Sequence, residues 1–409
     1  MGFEMVNGAW VIKLDLIATV ALAALLLMFG DYLRRIFPSL VRFCIPGAVL
    51  GGFAFSLLAW MLKGMDVVTF KLDTTLQMPF MIAFFTTVGL GGSLGLIKKG
   101  GKSLIIYLVG CWTLAVMQNV IGAGTAYMTG IHPVLGIMAG AVSLEGGMGA
   151  ASAFGPTAEQ LGVSGAFVVA VASATYGLIS GGLIGGPLAK WLIERYKLPI
   201  VTSGENLDNL VETTVENENI TSSKVLTMMS LILVCMVLGA LGSAKIKQLT
   251  DFVLPGYVGA MFVAVVFRNF NDAVPMVKLD EKSVDLIADV SLGIFLTMAM
   301  MSLKIWELSS LALPLIIILA VQTVFILAFC VYLLFPMLGR DYDAAVMCAG
   351  MVGHGLGATP NAVANMNAVA QRFGVVSRKA FLIVPLCGAV LIDIVGIPNI
   401  VWFINYLAK

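Results

Sequence analysis

The sequence predicts an all-α integral membrane protein built of two inverted repeats of five transmembrane helices, each repeat carrying a glycine-rich re-entrant hairpin. Three observations lead there. Of 409 residues, 59% are hydrophobic and only 11% are Asp, Glu, Lys or Arg, whereas soluble domains carry about 25% charged residues. Apolar runs recur that are each long enough to cross a ~30 Å hydrocarbon core. Short motifs of the first half also return in the second, in the same order.

Ten spans follow from the apolar runs. Those of the first half lie near 14–30, 44–62, 78–97, 104–127 and 166–192, and those of the second near 225–243, 252–268, 286–303, 310–335 and 380–404. Two apolar segments broken by glycine remain, 133–160 and 341–368. If each enters and leaves on one side, both halves cross five times, and an odd number inverts the second half. With the N-terminus outside, 17 Lys and Arg fall on the inner side and 7 on the outer, as the positive-inside rule requires. The expected organisation is an N-terminal repeat 1–196, an acidic cytoplasmic linker 197–223 and a C-terminal repeat 224–409. The start, MGFEMVNGAWVIKLDL, has no basic segment followed by an A-x-A site, so no removable signal peptide is expected.

A net charge of +1 gives no bulk electrostatic case for a nucleic-acid partner. The six cysteines, Cys44, Cys111, Cys235, Cys330, Cys348 and Cys387, stand apart in sequence in or beside apolar spans. They read as small buried hydrophobes, and no C-x-x-C pair suggests a metal or redox site.

The repeat shows in four pairs. IPGAVLGGF (45–53) returns as LPGYVGAMF (254–262), VMQNV (116–120) as AVQTV (320–324), LEGGMGA (144–150) as VGHGLGA (352–358), and IGGP (184–187) as VGIP (395–398). Inverted halves suit secondary transporters, whose central site opens alternately to each side. Non-helical backbone is tolerated at membrane depth only where it is buried in protein or lines a cavity. The runs LEGGMGA and GHGLGATP (353–360) therefore read as two hairpin tips meeting near the midplane. Broken helix ends expose N–H groups that hold a carboxylate and carbonyls that hold a cation.

Ionisable and amide side chains inside spans are functional candidates. On the tips these are Glu145, Gly146, Gly147, Gly149, His354, Gly355, Gly357, Thr359 and Asn361, read as substrate contacts. Asp393, with Gln118, Asn119, Ser143 and Asn365, is the candidate sodium set, since sodium takes a carboxylate plus neutral oxygens. Glu145 is also open to binding a cation or a proton, and His354 to titrating near neutral pH. Two enzyme-like motifs fail on context. GGSLG (91–95) lacks the strand–turn–helix setting of a nucleophile elbow, and GLIKKGGKS (95–103) has Leu96 where a P-loop spacing needs glycine. No enzyme and no resident cofactor is expected.

The chain resembles the bacterial sodium/glutamate symporters over almost its whole length outside the linker. The resemblance rests on VMQNVIG (116–122), GGLIGGP (181–187), MAMMSLKIWELSSLALP (298–314), YDAAV (342–346), GLGATPNAVANM (355–366) and LIDIV (391–395). It implies an inner-membrane, multi-pass carrier embedded in the lipid bilayer, for which the Lys and Arg distribution above predicts periplasmic termini. It further implies sodium-driven uptake of glutamate or a related small amino acid, and a homodimer in which a transport domain moves like an elevator against a scaffold. The family's first tip reads Ser-Gly-Gly-His-Gly-Thr. Here it is Glu145, Gly146, Gly147, Met148, Gly149 and Ala150, so the glycines match and the polar side chains differ. A proton-coupled organic-anion carrier using Glu145 or His354 is the alternative. A channel fits less well, because closed tips imply a saturable site.

Overall fold

The computed structural model describes residues 2–6, 9–38, 40, 45–93, 95, 101–200, 220–250, 254–304 and 311–408. The central linker therefore lies, from 201 to 219, outside the described residues, as does Cys44. The chain forms two compact units.

Unit 1 comprises residues 1–90, 220–264 and 277–310. It opens with β1 (Gly2–Val6) and β2 (Ala9–Leu14), followed by α1 (Leu16–Ile36) and α2 (Gly47–Gly64). Then come β3 (Val68–Leu72) and α3 (Gln77–Gly91). The three strands make one small sheet in the order β1-β2-β3, antiparallel then parallel. Helical spans dominate the chain as expected, and this sheet is an addition the apolar runs did not signal. Its strands are too short and mixed in polarity to stand out. Lys13 pairs with Glu4 across β1 and β2 at 2.7 Å.

Helix α1 starts where Asp15 accepts from the Ala18 N–H at 3.0 Å, supplying one of the partners a helix N-terminus lacks. Helix α2 starts directly after Pro46. The second-half elements of unit 1 run through α9 (Ser222–Thr250), the start of α10 (Gly256–Ala273) and α11 (Glu281–Met301). Its core joins Ala23, Phe55, Met298 and Met301. The Ser56 hydroxyl donates to the Met300 carbonyl at 2.6 Å, pinning α2 to the end of α11.

Unit 2 comprises residues 91–219, 265–276 and 311–409. Its first-half elements are α4 (Gly101–Met128), α5 (Pro133–Met138), α6 (Ala141–Leu144), α7 (Gly147–Gln160) and α8 (Ala166–Tyr196). Its second-half elements are α12 (Ala312–Met337), α13 (Tyr342–Leu356), α14 (Thr359–Phe373) and α15 (Arg378–Leu407). The same order thus occurs twice: a long helix, a broken helical segment (three pieces in the first half, two in the second), a long helix. Both α12 and α15 contain a π-helical turn, at Cys330–Leu334 and Cys387–Leu391. Caps mark the starts. His132 Nδ1 accepts from Val134 N at 3.3 Å ahead of α5, Asp341 from Ala344 N at 2.7 Å ahead of α13, and Ser377 from Ala380 N at 3.1 Å ahead of α15.

Among the described residues, eight helices are long and apolar enough to cross a membrane. They match eight of the ten expected spans. The span expected at 78–97 is α3, which has only 15 residues and so rises about 22 Å. The span expected at 252–268 is α10, which runs on to Ala273 and places an Arg268–Asp272 ion pair, 3.1 Å apart, in its last turns. Those charges lower its hydropathy. Five cysteines are buried and free, as a small-hydrophobe role requires.

Helix α8 sits at the heart of unit 2, against α7, α13 and α14. Its small residues make this possible. A Cβ at Gly177 would collide with the Leu356 carbonyl at the end of α13.

Candidate functional site

The two glycine-rich runs break their helices where the sequence places the tips. In the first, α6 ends at Leu144 and α7 begins at Gly147, whose φ of +59° is a left-handed value that glycine adopts without cost. In the second, α13 ends at Leu356, Gly357 leaves the helical conformation with φ −133° and ψ −86°, and Ala358 is extended before α14 begins at Thr359. The two breaks face each other. A Cβ on Gly147 would stand 3.4 Å from the Gly357 carbonyl oxygen. The first turns of α7 and α14 therefore start side by side. The leading N–H groups of a helix have no partner inside it and carry the positive end of its dipole, so this junction suits an anion.

Two neighbouring residues on α4 hold the two tips. The Gln118 amide donates from Nε2 to the Gly355 carbonyl at 2.7 Å. Asn119 Oδ1 accepts from the Ala141 N–H at 3.2 Å, at the start of α6. Gln322 of α12 donates to the Gln118 carbonyl at 2.6 Å. These bonds orient each amide, because the backbone partner dictates which end is oxygen. All three residues are fully buried.

What the bonds leave unpartnered decides what each side chain can offer. Gln118 keeps Oε1 and Asn119 keeps Nδ2. Gln118 thus presents an acceptor, as a cation ligand must. Asn119, expected as a ligand, presents a donor, which suits a carboxylate better. The Ser143 hydroxyl and Glu145 Oε1 are also buried without partners. Such groups are rare in folded proteins and mark either a water or a ligand position.

Asn361 and Asn365 both turn toward α8. Asn361 Nδ2 donates to the Leu178 carbonyl at 2.8 Å, while its backbone N–H donates to Ala358 at 2.9 Å. Only its Oδ1 is left without a partner. Asn365 Nδ2 donates to Gly181 at 2.8 Å and to Ala349 at 3.3 Å. Asn365 therefore ties α14 to α8 and α13, and its amide nitrogen is engaged away from Gln118. Thr359 is partly exposed at the first position of α14.

His354 does not reach the break. It lies inside α13, is 2% exposed, and its Nε2 stands 2.9 Å from the Tyr107 hydroxyl on α4. Its Nδ1 has no partner, and Cys111 Sγ lies 3.8 Å from Nε2. Tyr107 escaped the sequence reading. The available signal was a tyrosine inside an apolar span, whose hydroxyl must find a partner once buried.

Asp393 lies two residues beyond Leu391, whose carbonyl accepts from Trp112 Nε1 of α4 at 3.1 Å. Its helix, α15, packs on α4, α5 and α6. Asp393 is carried by the helix that packs on α6, at whose end Glu145 stands, so that a negative charge on either one opposes a negative charge on the other. The structure thus gathers Gln118, Asn119, Ser143, Glu145 and Asp393 onto three mutually packed elements beside the tips. Two surface recesses lie elsewhere. One is lined by residues such as Ser56, Trp60 and Lys63, the other by residues such as Lys190, Trp191 and Arg372.

The description "Sodium/glutamate symporter" matches residues 12–375 of the chain. The chain is 40% identical over 384 residues to a sodium/glutamate symporter of Haemophilus influenzae, covering 92% of this chain and 94% of the relative. It is also 40% identical over 388 residues to the sodium/glutamate symporter of Escherichia coli, covering 94% and 96%. The match to that of Shigella flexneri has the same identity and coverage.

Proposed function

The chain belongs to the sodium/glutamate symporter family, and from that premise we propose that it uses inward sodium flow to take up glutamate by alternating access. The observation that carries the substrate reading is the meeting of two helix N-termini where Gly147 faces the Gly357 carbonyl. Glutamate brings two carboxylates and one ammonium group. Its carboxylates accept from the leading N–H groups of α7, around Gly147 and Gly149, and from Thr359. The unpartnered donor of Asn119 adds a further contact. Asn361 Oδ1, the one open group on that side chain, suits the ammonium group, because an acceptor cannot bond a carboxylate. Gly146, Gly355 and Gly357 shape the tips, because a Cβ there would collide with Ala150, with Leu114 and with Asn361 respectively.

Sodium is cargo here and needs oxygen ligands. Gln118 Oε1 and the Ser143 hydroxyl are buried oxygens without partners, and Asp393 adds a carboxylate. Asn365 contributes by holding α14 against α8. The proton-coupled alternative is not favoured, and the engagement of His354 with Tyr107 weighs against it as a substrate-side proton carrier.

The finer architecture belongs to the same proposal. The four motif pairs and the twice-repeated element order support two inverted repeats, 1–196 and 224–409, joined by the linker 197–223. The excess of Lys and Arg on one side supports periplasmic termini in a bacterial inner membrane. On an elevator mechanism, unit 2, which carries the tips, is the moving body within a homodimer. The test is uptake of labelled glutamate into proteoliposomes under an imposed sodium or proton gradient. Accumulation only with sodium is expected. Saturable uptake driven equally by a proton gradient in sodium-free buffer would overturn it.

A further inference from the structure

Glu145 is the one tip residue whose chemistry the substrate reading leaves unused. A carboxylate does not hydrogen-bond another carboxylate unless one is protonated, so it makes a poor contact for glutamate. It is partly buried, with Oε1 sealed and unpartnered. Asp393, on α15, which packs against α6 and α4, adds a second carboxylate to this junction. Two carboxylates in an apolar setting repel each other and lose hydration, so both stay ionised only if cations sit between or beside them.

Acidic residues alone do not make a site, and here other groups point to one. Ser143, on α6 two residues before Glu145, is 0% exposed and its hydroxyl has no partner. Gln118, on α4, is likewise 0% exposed and holds Oε1 without a partner. The unpartnered groups at these two residues and Glu145 are all oxygens. They lie on α4 and on the end of α6, which pack together and against α15. The ligand set is two carboxylates with neutral oxygens, and the described residues hold no cluster of three or more His, Cys, Asp or Glu that would suit a transition metal. An oxygen-only set of this kind suits a hard, weakly bound cation.

We propose that Glu145 is a sodium ligand, and that the junction of α4, α6 and α15 takes two sodium ions against its two carboxylates rather than one. The argument is also one of charge. A loaded site must cross the hydrocarbon region, where uncompensated charge is costly. Asp393 and Glu145 contribute two negative charges, which the two sodium ions offset, and the one net negative charge of bound glutamate faces the helix N-termini with or without Glu145. A carrier with Glu145 therefore needs one more cation per glutamate than the same carrier without it. This inference rests on the sodium-coupled reading above and assigns Glu145 to the ion rather than to the substrate.

The experiment counts ions. Labelled sodium binding to the purified wild-type chain in detergent is measured at equilibrium, together with the melting temperature in NaCl against choline chloride. Dual-label uptake in proteoliposomes gives the sodium-to-glutamate ratio. Two sodium ions bound per wild-type chain are expected. Glu145→Gln should lower that count by one, lower the uptake ratio by one, and reduce the stabilisation by NaCl. Glu145→Asp, which keeps the charge on a shorter arm, should retain the wild-type ratio at weaker sodium affinity. One sodium per wild-type chain, or an unchanged ratio in a folded Glu145→Gln, would overturn the inference. The wild-type count stands even if Glu145→Gln fails to fold. Absence of sodium-driven glutamate uptake by wild type would sink the functional reading instead, and leaves the binding count to judge Glu145.

Discussion

Gln118 donates its side-chain amide to the carbonyl of Gly355 across 2.7 Å, tying the middle of one long helix to the last turn of a hairpin arm 237 residues further along the chain. The bond satisfies a carbonyl near the break and turns Gln118 Oε1 toward the only role left to it, accepting from or ligating something not of the protein backbone. One side chain thus supports the tip and faces the proposed ion site.

Replacing Gln118 with leucine removes both functions. A buried carbonyl left unsatisfied costs about 1–3 kcal/mol, so the melting temperature of the purified protein should fall. Sodium affinity in uptake assays should fall as well. Gln322→Leu frees the Gln118 carbonyl but keeps Oε1, so it should destabilise without the same loss of sodium affinity. Equal loss of sodium affinity in both variants would show that Gln118 acts only as a brace.

Gly147 is the tip glycine held in a left-handed backbone conformation. Its φ of +59° costs a residue with a Cβ roughly 1–2 kcal/mol, and that Cβ would sit in van der Waals contact with the Gly357 carbonyl oxygen at 3.4 Å, in the junction between the tips. Gly147→Ala should raise the glutamate KM and lower the uptake rate by more than it lowers the melting temperature. Gly162→Ala is the control, with φ of +95° and nothing within 4 Å of its Cβ. It carries backbone strain away from the tips and should affect stability alone. Matching uptake losses in the two variants would refute a role for the tip contact.

Tyr107 and His354 join α4 to α13 through a 2.9 Å hydrogen bond. Tyr107→Phe removes the hydroxyl partner of His354 and leaves only the weak Cys111 thiol contact at 3.8 Å, at a cost of about 1–3 kcal/mol. A lower melting temperature with an unchanged pH profile of uptake is expected. A shifted pH profile would mean that His354 takes part in proton coupling after all.

Asp280 tests the pH dependence of stability outside the membrane spans. It caps α11, accepting from the Ser283 N–H at 3.0 Å and from the Ser283 hydroxyl, with Lys224 Nζ at 3.4 Å. The Ser283 hydroxyl, followed by the Ser283 N–H and Lys224, holds its carboxyl below its ordinary value of 3.8. A depressed carboxylate stabilises the fold above its unfolded value, and the gain drains away as the pH falls through the folded one. Asp280→Ala should cost about 1 kcal/mol at neutral pH, the usual worth of an N-cap. Its deficit against wild type should shrink below pH 3.8. A deficit that stays constant with falling pH would show that the charge contributes nothing.

The hairpins illustrate how far local pattern carries. Segments 133–160 and 341–368 stood out because glycine and proline interrupt apolar sequence, and the helices break there, at 145–146 and at 357–358. His354 shows the limit. It sits within the glycine-rich run and so reads as a tip residue, yet the helix continues past it to Leu356 and turns its ring onto Tyr107. Where a side chain points depends on helical phase and on the neighbour that receives it.

By itself, the sequence determined the membrane class, most of the spans, the two broken segments and the family, because apolar length, glycine placement and motif order are properties of contiguous residues. Only the tertiary structure decided what the polar groups do. Gln118 and Asn119 are adjacent in sequence and chemically alike, but one is left with an oxygen and the other with an N–H group. The difference comes from which backbone group each meets, Gly355 or Ala141. That is set by how distant helices pack, since a buried amide must satisfy the neighbour it is given before it can offer its other end to a ligand.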